Sequence, residues 1–203
     1  DIMAALFFGQ MRFDPQDVAN EDSDRFVLSK GHAAPVLYAA WAEAGIIPRE
    51  SLSTLREIDS DLEGHPTPRL PWVDVATGSL GQGVCAAVGI ALNARRIGSS
   101  YRTYTLLGDG ESAEGSVWEA AMAAPNFKLD NLYVIIDKNN FQQTGSNKEI
   151  MSVESLKDKW SSFGWHTVEL DGHNIKALYN FFNDSSKINK PKAIIANTIK
   201  GKG

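Results

Sequence analysis

Residues 104–140, YTLLGDGESAEGSVWEAAMAAPNFKLDNLYVIIDKNN, contain two apolar, β-rich runs with a helix-like segment between them. The runs cover residues 104–107 and 132–136, and a polar turn follows each of them directly. This spacing is typical of a βαβ unit, in which two parallel strands are joined by a right-handed crossover. Strands and helices alternate along the rest of the chain as well. The sequence therefore predicts an α/β fold with a parallel sheet and helices on both faces.

Two polar residues follow these strands, Asp109 after the first and Asn139 after the second. Because parallel strands end at the same edge of a sheet, we expect both side chains to reach one ion. Mg²⁺ takes oxygen ligands and usually completes its shell with phosphate and water, so the pair predicts a metal that holds a diphosphate. The backbone carbonyl of Phe141 is our candidate for a third protein ligand. A GDG turn alone indicates no more than a turn, and the correctly spaced second half makes the pattern specific.

This signature resembles that of the thiamine-diphosphate enzymes, which begins with GDG and ends with NN after the next strand. Here 28 residues lie between Gly110 and Asn139. Further motifs narrow the resemblance to the cofactor-binding domain of transketolase, and in chain order they are DRFVLSKGHAAPVLYAAWAEAG, DLEGHPTP, DVATGSLGQG, GDGESAEGSVWEA, FGWHTVELDGH and KGKG. The resemblance implies the thiamine-diphosphate-binding fold. It also implies two cofactors, thiamine diphosphate and Mg²⁺, with Ca²⁺ or Mn²⁺ able to replace the latter.

The resemblance to transketolase implies a role for each matching residue. The implied metal ligands are Asp109, Asn139 and the carbonyl of Phe141. The implied cofactor contacts are His32, Gly78, Ser79, Leu80, Gly110, Asn139, Gln143 and Lys200. The implied catalytic residues are His65 at the hydroxyl of the donor sugar, His32 at the cofactor phosphate, and Glu114. The last of these would link two active sites across a dimer, together with Glu119.

The residue types themselves support these roles to different degrees. GSLGQG, residues 78–83, lacks the GxGxxG order of a dinucleotide fingerprint. A glycine-rich lead into a helix still presents N–H groups and the positive end of the helix dipole to an anion, while tight helix packing on Gly81 is the alternative. Lys30 and Lys200 could each neutralise phosphate or could be solvated surface lysines.

The four histidines divide by context. A neutral imidazole at His32 or His65 can donate and accept a proton, as cleavage of a carbon–carbon bond beside a hydroxyl requires. His166 falls within a predicted strand, and we expect it to be structural. His173 follows Gly172 in a predicted turn, and its pattern favours neither a structural nor a functional role.

The resemblance to transketolase also implies the reaction, which is transfer of a two-carbon ketol group from a ketose phosphate to an aldose phosphate in the pentose phosphate pathway. No motif of the pyrimidine-binding domain is found in residues 1–203. We expect a single domain, incomplete at both ends, that needs a second domain or subunit within a homodimer or heterotetramer. A split transketolase and a fragment of a longer one both remain open. A deoxyxylulose-phosphate synthase and a 2-oxo acid dehydrogenase component share the metal motif, but SKGHAAPVLYAAWAEAG argues against both. A non-catalytic regulatory domain that binds magnesium diphosphate also remains open.

Composition excludes several other classes of protein. A chain of 203 residues with 43% hydrophobic content suits one α/β domain. A net charge of −5 with scattered basic residues argues against a nucleic-acid partner. No apolar stretch is long enough to cross a bilayer, so we expect a soluble protein without a membrane partner. Cys85 is the only cysteine, which rules out an internal disulfide and fits the cytoplasm.

Overall fold

The computed structural model describes residues 1–17, 20–184 and 188–202, so Gly203, the last residue of the KGKG motif, lies outside the described residues. Five strands form one sheet in the order β1-β2-β3-β5-β4, and every neighbouring pair is parallel. The strands are β1 (Arg25–Leu28), β2 (Thr103–Gly108), β3 (Leu132–Lys138), β4 (His166–Asp171) and β5 (Lys192–Asn197). All five carboxyl ends therefore meet at one edge, and the predicted fold class is confirmed.

The helices of the described residues are α1 (Ile2–Gly9), α2 (Ala34–Glu43), α3 (Gln82–Ile97), α4 (Gly115–Asn126), α5 (Asn147–Ile150), α6 (Leu156–Ser162) and α7 (Ile175–Phe182). Short 3₁₀ helices cover Gly31–Ala33, Arg49–Thr54 and Gly110–Ala113. Helix α3 ends at Gly98, whose φ of 73° gives the left-handed cap that glycine adopts most easily. No helix in this part of the chain combines the length and the apolar character needed to cross a bilayer.

Two apolar cores lie on opposite faces of the sheet, because side chains alternate along each strand. In β3, Tyr133 and Ile135 belong to the core that is covered by α1, α2 and α7. The next residues in the alternation, Val134 and Ile136, belong to the core under α3, α4 and α6. Layers of helices on both faces leave the strand ends as the open part of the sheet, where a ligand can enter.

The sequence pattern predicts a helix over residues 49–58, a long loop after the strand that ends at residue 136, and a helix over residues 153–163. The structure differs from each of these three expectations. The helix predicted over residues 153–163 begins at Leu156, because the Ser155 side chain caps it by accepting the N–H of Asp158. The loop predicted after β3 contains α5 and a bridge between Phe141 and Ser146. The helix predicted over residues 49–58 is only the 3₁₀ helix Arg49–Thr54. Each of these elements is too short to leave a clear periodic pattern.

Candidate cofactor and metal site

The carboxyl edge of the sheet opens onto a cavity of about 950 Å³. Eleven of the twelve residues predicted as site residues line it: His32, His65, Gly78, Leu80, Asp109, Gly110, Glu114, Asn139, Phe141, Gln143 and Lys200. Ser79 is exposed and does not line the cavity, although both of its neighbours do. The structure therefore brings together residues that lie as far apart in the sequence as His32 and Lys200.

Asp109 lies at the carboxyl end of β2 and is only 1% exposed. Its Oδ1 accepts the N–H of Gly110 at 2.8 Å, and its Oδ2 accepts the N–H of Asn140 at 2.6 Å. Burial raises the pKa of Asp109 above its usual value, and the two backbone N–H groups oppose that rise. The Asp109 carboxylate is thus held against the loop that carries Asn139, as the parallel pairing of β2 and β3 requires.

The Asn139 loop turns sharply after β3. Asn139 Oδ1 accepts the N–H of Phe141 at 2.9 Å, and Asn140 has a positive φ of 64°. Phe141 lines the cavity and is 49% exposed. The nearby Asn147 is buried, and its Oδ1 has no hydrogen-bond partner among the described residues. Because the N–H of Asn140 bonds to Asp109, the residues on either side of it, Asn139 and Phe141, also lie close to the carboxylate and carry the amide and carbonyl oxygens that are candidate ligands.

This donor set fits a divalent cation. No basic side chain in the described ranges forms an ion pair with Asp109, so its buried carboxylate has no counter-charge. Nor does any group of three acidic, histidine or cysteine side chains in those ranges have the arrangement of a metal site. A cation here would rely on one carboxylate completed by amide and carbonyl oxygens, with phosphate and water filling the remaining positions, which is a coordination that Mg²⁺ favours.

Lys30 reaches the cavity from the end of β1 but is already paired. Its Nζ lies 2.7 Å from Asp137 Oδ2, and the hydroxyl of Thr198 donates to Asp137 Oδ1. Lys30 is 8% exposed, so it is not a solvated surface lysine. Lys200 is exposed, and its Nζ lies 5.5 Å from the centre of the Phe141 ring. Both cations therefore line the cavity that also contains Asp109.

Three of the histidines make different contacts in the structure. His65 packs on Gly78, where an added Cβ would lie 3.2 Å from the imidazole ring. His173 Nδ1 lies 2.8 Å from Asp1 Oδ2, and its Nε2 accepts the N–H of Ile199 at 3.0 Å. The structure thus gives His173 a role in holding the segment before Lys200. His166, at the start of β4, stacks on Phe181 of helix α7, as expected for a structural residue.

The environment of His32 favours its neutral form. Partial burial lowers the pKa of His32 below 6.5, and the nearby Lys30, His65 imidazole and Lys200 lower it further, while Asp137 opposes them. Because the folded pKa is the lower one, the contribution of His32 to stability is full above pH 6.5 and is lost as the pH falls through its folded value.

An NMR titration should therefore give His32 a midpoint below 6.5, with its signal assigned from the spectrum of a His32→Gln variant. Lys30→Met should raise this midpoint only in part, because burial is the larger cause. A wild-type midpoint at or above 6.5 would contradict this description of the site.

The sequence patterns do not point to Glu111, which the structure places beside the site. This residue is 2% exposed, and its carboxylate accepts hydrogen bonds from Ser29, Gly81 and Gly108. An acidic residue in a glycine-rich turn is ordinarily exposed, so its type gave no reason to single it out. The sequence feature that could have indicated a role for Glu111 is its position between the GDG turn and α4, where a buried side chain can reach the neighbouring loops.

Comparison with known proteins agrees with this geometry. A family model described as "Transketolase, thiamine diphosphate binding domain" matches residues 1–203. The chain is 50% identical over 204 residues to transketolase of Homo sapiens, covering all of this chain and 32% of that protein. It is 44% identical over 204 residues to one subunit of the apulose-4-phosphate transketolase of Phocaeicola vulgatus, covering all of this chain and 73% of that subunit.

Solved structures give the same result. A transketolase variant from Pichia stipitis superposes with a TM-score of 0.91 at 35% identity, over 97% of this chain and 31% of that one. Transketolase from Campylobacter jejuni superposes with a TM-score of 0.88 at 31% identity, over 97% of this chain and 32% of that one. The chain thus spans about one third of the length of the full transketolases that it matches.

Proposed function

This chain belongs to the transketolase family, as its thiamine-diphosphate-binding domain, and we propose that it supplies the diphosphate- and magnesium-binding half of a ketol-transferring enzyme. The observation that carries the proposal is that the turn after β2 and the turn after β3 lie in contact at one cavity. Asp109 Oδ2 lies 2.6 Å from the backbone nitrogen of Asn140. Asp109, Asn139 and the carbonyl of Phe141 would hold the metal, and its phosphate partners would lie beside Gly110, His32 and Lys200.

The reaction proposed is transfer of a two-carbon ketol group from a ketose phosphate to an aldose phosphate. Thiamine diphosphate, when bound, supplies the chemistry that breaks and forms the carbon–carbon bond. His65, which lines the same cavity as the metal turn, would accept or donate a proton at the hydroxyl of the donor sugar. His32 favours its neutral form, which lets it donate a hydrogen bond to a phosphate oxygen without holding a positive charge.

The other half of the site would come from a pyrimidine-binding domain on a second subunit or a further domain. Phe141 and Ile199 give the cavity apolar surface that is 49% and 64% exposed, which a partner domain could cover. The similarity to one subunit of an apulose-4-phosphate transketolase, of which the chain covers 73%, supports a half-enzyme. We propose a homodimer or heterotetramer in the cytoplasm, with Glu114, exposed at the cavity wall, in contact with the partner.

A complementation assay tests this function. We expect no turnover of xylulose 5-phosphate with ribose 5-phosphate by this chain alone, and turnover when a subunit carrying the pyrimidine-binding domain is added with thiamine diphosphate and Mg²⁺. The partner alone and a mixture with His65→Asn are the controls, and both should stay near background. Turnover by this chain alone would refute the half-enzyme. Cofactor binding without turnover in any mixture would favour a regulatory domain.

A further inference from the structure

We infer that Glu111 is a positioning residue whose buried carboxylate fixes three cavity loops relative to one another. The inference deepens the proposed function, because these loops would carry the contacts to the diphosphate cofactor. Glu111 itself is only 2% exposed and cannot offer its charge to a ligand without a rearrangement of the loops. Its effect on binding must therefore act through the groups that it holds.

The three hydrogen bonds of Glu111 come from three different segments. Oε1 accepts the hydroxyl of Ser29 at 2.5 Å and the N–H of Gly81 at 2.8 Å, and Oε2 accepts the N–H of Gly108 at 3.0 Å. Ser29 follows β1, Gly81 precedes α3, and Gly108 ends β2. Hydrogen bonds to a buried carboxylate are among the stronger ones in proteins, so this group ties the segments together.

Hydrogen bonds within the protein also take up N–H groups at the start of α3. Ser29 Oγ accepts the N–H of Val84 at 3.2 Å, and the N–H of Gln82 bonds to the carbonyl of Ser79 at 3.3 Å. The N–H groups that the GSLGQG pattern was expected to offer to an anion are thus partly used inside the protein. The positive end of the 16-residue helix α3 stabilises the Glu111 carboxylate instead.

The position of Glu111 links the two sets of proposed cofactor contacts. Gly81 directly follows the contact segment 78–80, and Gly108 directly precedes the metal ligand Asp109. Packing also joins the segment before α3 to the turn that follows Asp109, since a Cβ on Gly81 would lie 2.9 Å from the Cβ of Glu114. A change at Glu111 would therefore alter the distance between the diphosphate contacts and the metal turn while leaving each set of side chains intact.

Glu111→Gln is the sharpest change available, because it keeps the size of the side chain. A carboxylate only accepts hydrogen bonds, whereas the amide of glutamine donates from one of its two ends. Whichever way that amide is oriented, its NH₂ faces either the N–H of Gly108 or the N–H of Gly81. One buried backbone donor is left without an acceptor, which displaces its loop.

The test compares Glu111→Gln with Glu57→Gln, the same change at an exposed residue that does not line the cavity. Calorimetric titration at saturating Mg²⁺ should show thiamine diphosphate bound at least about tenfold more weakly by Glu111→Gln, or ~1.4 kcal/mol, with no change in the control. NMR amide exchange should become faster at Gly81 and Gly108. It should stay unchanged at Val134 in the centre of the sheet.

Several results would overturn the inference. One is an unchanged affinity in folded Glu111→Gln, and another is exchange that accelerates equally at Val134 and at Gly81, which would indicate general destabilisation. If Glu111→Gln does not fold, Ser29→Ala removes a single donor and should weaken binding less, and an unchanged affinity there would also overturn it. Failure of the wild type to bind thiamine diphosphate even when a subunit with the pyrimidine-binding domain is present would refute the proposed function, whereas the exchange at Gly81 and Gly108 would still decide whether Glu111 couples the loops.

Discussion

Asp109→Asn is expected to abolish the Mg²⁺-dependent binding of thiamine diphosphate, with a loss of affinity of at least about 100-fold, or ~2.7 kcal/mol. Asp109 is the only carboxylate of the proposed metal site, and asparagine has the same shape without the charge. Replacing a charged ligand in a buried site removes most of the attraction for a divalent cation, because little water screens it. Calorimetric titration of thiamine diphosphate with and without Mg²⁺ measures the effect.

The thermal stability of the protein without cation should respond differently. Burial raises the pKa of Asp109, so this group stabilises the fold at low pH, and that contribution is lost as the pH rises through the raised value. At neutral pH the ionised carboxylate is therefore unfavourable, and Asp109→Asn relieves this cost. The variant also loses one acceptor for the N–H groups of Gly110 and Asn140. Because the two effects oppose each other, we expect the Tm to change by less than about 4 °C.

The matched control is Asp130→Asn, an exposed aspartate that precedes β3 at the opposite end of the strand. It removes the same charge far from the cavity, and it should leave cofactor affinity and the Mg²⁺ dependence unchanged. If Asp109→Asn kept Mg²⁺-dependent binding at the wild-type level, the proposed metal site would be wrong. A Tm increase on adding Mg²⁺ and thiamine diphosphate, seen in the control and absent in Asp109→Asn, would support it.

The sequence predicted the strands and turns that position the site, because these elements depend on local patterns of residues. The apolar runs that became β2 and β3 are strongly β-rich and correctly spaced for a crossover, and this spacing alone placed Asp109 and Asn139 at one edge. Glycine before and after the longer helices marked their ends, as at Gly98 after α3. Each of these features is read within a window of a few residues, so no knowledge of distant contacts was needed.

The contacts that complete the site depend on residues far apart in the chain. Ser29 and Glu111 are 82 positions apart, and Glu111 is buried only because the loops around it close over it. His173 fixes Ile199 across 26 positions, so its sequence context favoured no role. The insertion of β5 between β3 and β4 is likewise set by packing of the whole sheet. Local propensity carries no information about such contacts.

Gly83→Ala is expected to lower the free energy of unfolding by about 2–3 kcal/mol, the usual cost of forcing extra atoms into a packed site. An added Cβ at Gly83, in the first turn of α3, would lie 2.6 Å from the Cα of Ser29, which is backbone and cannot move aside alone. The strand β1 and the helix α3 would have to separate. Urea denaturation measures this loss, which corresponds to a fall in Tm of about 4–12 °C.

Gly89→Ala in the same helix is the control, and it should change the free energy of unfolding in the opposite direction. Gly89 is exposed, and nothing lies within 4 Å of the Cβ it would gain. Alanine there should raise the free energy of unfolding by about 0.5–1 kcal/mol, because glycine loses more backbone freedom on folding. If both variants were stabilised, the close contact between α3 and β1 would be wrong. Since Ser29 also donates to Glu111, Gly83→Ala should in addition weaken cofactor binding, whereas Gly89→Ala should leave it unchanged.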